Sequence, residues 1–236
     1  MKKLYMQCDE IISLLSILFI LLMAIFVDLK FVEIGIFFII LQLVDGNAKR
    51  IKDKNNLYIF IRRTIYFFPL ILPVALKTDL SISFDSQFIA LGIVLGIIYN
   101  IPQLSNIKFM LNKDFIQFST EDISKFELSM DIYSTMGAAI FEELFFRYYI
   151  LSFSKTYRIS LVLLSCVLFL SAHASTKWNE RFKIYDYLVQ FSFSCLSCFL
   201  YILSRSILPS IIMHLFYNGP TILYNVKSLK IKGELK

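Results

Sequence analysis

Charged residues are scarce in this chain, and their scarcity excludes a soluble globular protein. Only 18% of the 236 residues are charged and 57% are hydrophobic, whereas an ordinary soluble domain has about 25% charged and about 45–50% apolar residues. There are too few polar side chains to cover the surface of a water-soluble globule. The apolar residues also occur in long runs rather than in alternation, which favours membrane-spanning helices over strands.

Cysteine is scarce as well, and the four cysteines are too few for a disulfide scaffold. Cys166, Cys195 and Cys198 lie within apolar runs, where cysteine behaves as a small hydrophobic residue. The pattern His-Glu-x-x-His is absent, which excludes only the zinc proteases that carry it. No internal repeat, low-complexity tract or second domain is visible.

The formal net charge of +6 does not predict a nucleic-acid partner, because the basic residues are not clustered. They lie in short segments between apolar runs, a distribution typical of membrane topology. The basic start of the chain resembles a signal peptide. However, Asp9 and Glu10 interrupt it and no small-x-small cleavage site follows, so we expect an uncleaved first span.

The apolar runs predict an all-α, polytopic transmembrane bundle, since a spanning helix needs about 20 mostly apolar residues. With the N-terminus inside, most of the 24 Lys and Arg residues fall on the cytoplasmic side. We therefore predict about eight spans with both termini cytoplasmic, in a single domain (1–236) of the cell membrane. The predicted spans are 11–28, 31–45, 60–77, 88–104, 130–151, 159–176, 187–204 and 206–225.

Two predicted spans are irregular: 31–45 contains Glu33, and 60–77 contains Pro69 and Pro73. The long connection from about 105 to 130 mixes apolar and charged residues, which is consistent with an interfacial amphipathic segment. Small residues within spans predict close helix packing. They are Gly92 and Gly96, Gly137 to Ala139, and the Cys195 to Cys198 segment with Ser192 and Ser194.

Charged residues inside spans are costly, so each is a functional hypothesis. Glu142, Glu143 and Arg147 lie within one apolar run. Glu143 and Arg147 are four residues apart, which predicts an ion pair on one helix face. Glu142 points about 100° away from Glu143 on a helix. It therefore needs a partner from another helix or can act as a general base.

Both histidines of the chain lie in other predicted spans. Phe169 and His173 are four residues apart near the cytoplasmic end of the sixth span, so they share a helix face. His214 and Asn218 have the same spacing in the eighth span. Together they can present two hydrogen-bond donors to a single point.

These residues supply the parts of a hydrolase, which we assign to a core of four helices at 130–225. Glu142 and His173 could bind and deprotonate a water, while His214 and Asn218 could stabilise the oxyanion. Alternatively, Glu142, His173 and His214 could bind a divalent metal such as zinc and leave one position open for water. The sequence does not choose between these schemes.

Each feature also has a structural alternative. The Glu143–Arg147 pair can be purely structural, His173 can be a satisfied polar residue at a helix end, and Asn218 before Gly-Pro can cap a helix. The occurrence of all three pairs in separate spans favours a shared functional site.

At these residues the chain resembles the CPBP family of intramembrane endopeptidases, also called Abi or CAAX-protease-like. The motifs of that family are Glu-Glu-x-x-x-Arg, Phe-x-x-x-His and His-x-x-x-Asn, and all three occur here in that order between residues 142 and 218. The resemblance implies a site within the membrane that is open to the cytoplasm. It assigns water activation to Glu142, water positioning to His173, the oxyanion site to His214 and Asn218, and supporting roles to Glu143, Arg147 and Phe169.

The resemblance also implies a peptide or membrane-protein substrate. Eukaryotic relatives remove three residues from prenylated CAAX proteins, and bacterial relatives resemble factors for peptide maturation or bacteriocin self-immunity. We therefore predict an endopeptidase that acts on a small peptide precursor or a prenylated, membrane-associated substrate. The main alternative is a non-catalytic immunity protein that sequesters a partner in the membrane. A proton-coupled carrier is disfavoured because no repeat is visible.

Overall fold

The computed structural model describes residues 8–48, 55–76, 80, 82–174 and 183–234, and within these ranges it contains helices and no strand. The all-helical prediction is therefore confirmed. A 3₁₀ turn at Ile101–Gln103 joins the fifth and sixth helices, and a π-helix at Leu144–Tyr149 continues the eighth. The helices are α1 (Cys8–Phe26), α2 (Phe31–Ala48), α3 (Asn56–Ile65), α4 (Phe68–Ala75), α5 (Ser86–Ile98), α6 (Leu104–Met110), α7 (Lys113–Ser119), α8 (Lys125–Glu143), α9 (Arg158–Ala174), α10 (Ile184–Ser204), α11 (Leu208–Tyr217) and α12 (Gly219–Glu234).

Within the described residues, two helical segments are long and apolar enough to cross a membrane. One is the segment Ser86–Met110, which consists of α5, the 3₁₀ turn and α6, and the other is α10. The pair α3 and α4 makes a third if the bent pair counts as one span. The count of eight spans and the orientation of the termini stay predictions. Several basic residues behind that orientation lie outside the described residues, namely Lys2, Lys3, Lys49, Arg50, Lys52, Lys54, Lys77, Lys177, Arg181 and Lys236.

The predicted span 60–77 is not one straight helix. α3 and α4 meet at a bend of 47° with Tyr66 and Phe67 between them. Pro69 explains the break, because it has no N–H to continue the ladder and its ring would clash with the carbonyl of Ile65 in a continuous helix. In its actual place, near the start of α4, the proline fits the first turn.

The predicted span 206–225 is also interrupted, since α11 ends at Tyr217, Asn218 caps it, and α12 begins at Gly219. Pro220 cannot donate a hydrogen bond to the carbonyl of Phe216. The side chain of Asn100 donates to that carbonyl instead, at 3.0 Å. The helix break therefore leaves this backbone oxygen satisfied.

The buried core joins α1, α2 and α4 to the π-helix, α9 and α10 through large side chains such as Phe38, Phe145 and Phe169. Large apolar side chains also cover the outside, as on α1, where Leu18, Leu22 and Phe26 are exposed. Such a surface suits lipid better than water.

The two glycines of α5 allow α11 to pack directly against it. A Cβ added to Gly92 would lie 2.5 Å from the backbone oxygen of Pro209, and one added to Gly96 would lie 2.5 Å from that of Met213. Both contacts are too short for any other residue. The small-residue pattern predicted from the sequence therefore sets the position of α11, the helix that carries His214.

Candidate active site

Glu142 and Glu143 end α8 at the start of the π-helix, and both side chains are buried. A π-helical turn inside a helix occurs often at functional sites. The two carboxylates contact different groups, as their spacing predicts. Glu142 contacts Tyr66 and His173.

Glu143 lies at the centre of a fully buried polar cluster. Arg147 Nε is 3.2 Å from its Oε2, so the predicted ion pair is present. Ser197 Oγ donates to the same carboxylate, and His214 Nδ1 lies 2.9 Å from Oε1. Arg147 also donates to Ser194 Oγ at 3.1 Å. The cluster thereby ties α8 and the π-helix to α10 and α11.

This cluster fixes the orientation and tautomer of His214, which is only 3% exposed. A carboxylate paired with Arg147 can only accept hydrogen bonds, so Nδ1 of His214 carries the proton that points at Glu143. The other ring nitrogen, Nε2, is then an acceptor in the neutral ring and a donor only in the imidazolium form. An oxyanion role for His214 therefore requires the charged ring, whose charge the Glu143 carboxylate offsets.

Phe169 joins the two halves of the site by packing. Its ring lies 4.2 Å from the ring of His173 and 6.1 Å from that of His214, measured between centroids. The guanidinium carbon of Arg147 lies 4.3 Å from the Phe169 centroid, a cation–π contact. The aromatic residue of the Phe-x-x-x-His pair thus supports both histidines and the arginine.

Glu142 is 4% exposed, and its two carboxylate oxygens have different surroundings. Tyr66 Oη donates to Oε1 at 2.5 Å. Oε2 has no hydrogen-bond partner among the described residues, and it lies 3.5 Å from His173 Nε2. Nδ1 of His173 is 2.9 Å from the Phe169 carbonyl, which can only accept. In the neutral ring, therefore, His173 Nε2 presents a lone pair towards Glu142.

A cavity of about 510 Å³ opens beside Glu142. Its lining includes Glu142, Asn218, Tyr66, Arg62 and Arg63. Neither His173 nor His214 belongs to this lining. Asn218 Nδ2 donates to the backbone oxygen of Thr135 at 3.4 Å. Because an amide nitrogen carries two hydrogens, a second one stays available for a ligand in the cavity.

The metal alternative does not fit this arrangement. Among the described residues, no group of three His, Cys, Asp or Glu side chains is placed to hold a metal ion. Glu142 and His173 come together, but no third ligand of this kind joins them among the described residues.

Three residues of the site, Ser194, Ser197 and Tyr66, were not predicted from the sequence. Ser197 and Ser194 were interpreted as part of a packing face, yet they bond Glu143 and Arg147. Tyr66 was not singled out at all. Polar hydroxyls in apolar helices were the available signal for the serines, whereas no motif marks Tyr66.

The sequence comparison agrees with the motifs. Residues 125–219 match the family described as Type II CAAX prenyl endopeptidase Rce1-like. This range contains Glu142, Glu143, Arg147 and the two histidine motifs. No curated protein and no solved structure gives a significant match.

Proposed function

We propose that this chain is an endopeptidase of the Rce1-like CAAX protease family, because residues 125–219 match that family, and that it hydrolyses peptide bonds within the membrane. The observation that carries the proposal is the pair of acceptors formed by Glu142 Oε2 and His173 Nε2, 3.5 Å apart. One water molecule can donate a hydrogen to each of them. Glu142 also belongs to the lining of the adjoining cavity, where we place the substrate.

The reaction needs a base, an oxyanion site and the delivery of a proton from the water to the leaving amine. Glu142 takes a proton from the water as its oxygen attacks the peptide carbonyl carbon. His214, as imidazolium, and the second amide hydrogen of Asn218 stabilise the negative oxygen that forms. When the C–N bond breaks, Glu142 returns the proton to the leaving amine, and the products are a carboxylic acid and an amine.

Glu143 and Arg147 have supporting roles in this scheme. Glu143 keeps His214 oriented and offsets its positive charge, and Arg147 keeps Glu143 ionised. Such a carboxylate–histidine pair is the usual way in which hydrolases fix a catalytic imidazole. Phe169 keeps His173 against Glu142 by packing.

The substrate in this proposal is a small peptide precursor or a prenylated, membrane-associated protein. The family description supports a prenylated CAAX substrate. The cavity supports a peptide, because its volume of about 510 Å³ has room for several residues. The protein itself forms a single domain of about eight spans in the cell membrane, with the catalytic core at 130–225.

The test replaces Glu142 with glutamine in the native host and compares membrane peptides by mass spectrometry. Glutamine keeps the shape but cannot take a proton, so we expect an uncut precursor only in this variant. Glu33→Gln is the matched control, because Glu33 also accepts a tyrosine hydroxyl, from Tyr149 at 2.7 Å, yet does not belong to the cavity lining. Immunoblots verify that both variants are as abundant as wild type.

Normal processing by Glu142→Gln would remove that residue from the mechanism. If neither variant changed any peptide while a host phenotype still required the protein, the non-catalytic immunity function would replace the protease proposal. Loss of processing in both variants would indicate a general folding defect instead.

A further inference from the structure

Tyr66 contacts the proposed base although it lies far from every motif. It precedes Glu142 by 76 residues and falls outside the matched range of 125–219. Its hydroxyl is 2.5 Å from Glu142 Oε1, and its side chain belongs to the lining of the cavity beside Glu142.

The contact determines which carboxylate oxygen is available. A carboxylate can rotate about its last side-chain bond, and this torsion is broad. With Oε1 bound to Tyr66, the rotation is restricted, and Oε2 is the oxygen that faces His173. The phenol therefore selects the geometry in which Glu142 and His173 can share one water.

Local sequence explains why Tyr66 reaches this position. The bend forced by Pro69 places Tyr66 and its neighbour Phe67 between α3 and α4. The ring of Phe67 lies over Gly137 on α8, where an added Cβ would lie only 2.3 Å from Phe67 Cζ. The same ring packs on Phe141, with centroids 4.8 Å apart. Phe67 thus docks the bend against α8, next to Glu142.

We propose that Tyr66 is a positioning residue for the reaction, which fixes the Glu142 carboxylate through its hydroxyl. The proposal rests on the proposed function of Glu142 as the base. It also means that the active site includes a residue of the N-terminal half, beyond the part of the chain that matches the family. A merely structural tyrosine would instead contribute to folding alone.

The experiment compares purified wild type, Tyr66→Phe and Tyr149→Phe in proteoliposomes. Tyr149→Phe is the matched control because it removes an equivalent hydroxyl bond, to Glu33. The probe is a prenylated peptide that ends in a CAAX sequence and carries a fluorophore and quencher across the scissile bond. We expect Tyr66→Phe to lower kcat about tenfold to a hundredfold, which is the range for losing a hydrogen bond to a charged group. KM should change less than about twofold.

A second readout is independent of turnover. The infrared carboxylate band of Glu142, identified as the band lost in Glu142→Gln, should shift in Tyr66→Phe and stay in place in Tyr149→Phe. A shifted band with reduced kcat supports the proposal. An unshifted band, or a kcat equal to that of the control, overturns it.

The two readouts separate this proposal from the proposed function. If wild type does not cleave the probe and no host peptide depends on Glu142, the protease function fails and a role for Tyr66 in catalysis fails with it. If wild type is active and only the Tyr66→Phe results are negative, the protease function stands and the positioning role alone is wrong.

Discussion

Replacing Arg147 with methionine should destabilise the protein far more when Glu143 is present than when it is absent. Methionine keeps much of the apolar volume of arginine but removes the positive charge. Glu143 would then be a buried carboxylate without its cation. Glu143→Gln removes the opposite charge, so the two substitutions and their combination form a complete double-mutant cycle.

The expected magnitude follows from the contact geometry. Arg147 Nε and Glu143 Oε2 are 3.2 Å apart and both side chains are fully buried. At an effective dielectric constant of about 20, two unit charges at this distance attract by about 5 kcal/mol. Breaking a buried pair by removal of one partner typically costs about 3–5 kcal/mol, because the other charge stays buried. We therefore expect Arg147→Met to lower the free energy of unfolding by about 3–5 kcal/mol.

The combined variant should lose less than the sum of the single losses, by about 2 kcal/mol or more, since no charge is then left without its partner. The measurement is a denaturant titration in mild detergent, followed by tryptophan fluorescence or circular dichroism. Replacing a surface arginine, Arg158, provides the control and should change stability by less than about 0.5 kcal/mol.

Strict additivity of the two single substitutions would refute this reasoning. It would mean that removing the charge of Arg147 does not make the buried charge of Glu143 more costly to the folded state. The support that Glu143 gives to His214 would then need another explanation.

Two further predictions concern close packing. Gly96→Ala should displace α11 and reduce both stability and activity, because the added Cβ would lie 2.5 Å from a backbone oxygen. Gly219→Ala is the control and should be close to neutral, since a Cβ added there meets nothing within 4 Å. Equal effects in thermal unfolding would contradict this. Gly137→Ala should lower activity by pushing Phe67 and the bend away from α8, and adding Phe67→Leu should restore part of it by making room. No rescue in the combined variant would show that Phe67 does not dock the bend.

Sequence reasoning located the polar residues of the site because their signals are local. Glu143 and Arg147 are one helical turn apart, so their pairing needs no knowledge of the tertiary fold. The same holds for Phe169 with His173. Gly92 and Gly96 likewise predicted a packing face, although only the structure shows that α11 is the helix packed on it.

The contacts between residues far apart in the chain could not be predicted from the sequence. Pro69 indicates a break, yet nothing in the sequence says that the bend brings Tyr66 to Glu142. The serines of α10 have no spacing that pairs them with Glu143 or Arg147, which lie on another helix. These contacts depend on how helices pack, and a single sequence does not record that.

The helix breaks were the main error in the predicted spans. Hydropathy averages over about 20 residues, so the predicted segments 60–77 and 206–225 ran through Pro69 and Pro220. Both prolines remove a backbone donor, and each lies in the first turn of a new helix, after the preceding helix has ended. The sequence signal was present at both positions, but apolar composition outweighed it in the prediction.

In the proposed mechanism, Glu142 activates water for peptide hydrolysis. The most direct measurement incubates wild-type and Glu142→Gln proteoliposomes with the prenylated CAAX peptide and with host membrane peptides, in water enriched in oxygen-18. We expect wild type to yield a new carboxylate carrying one oxygen-18 and the variant to yield none. Cleavage by Glu142→Gln at the wild-type rate would contradict it.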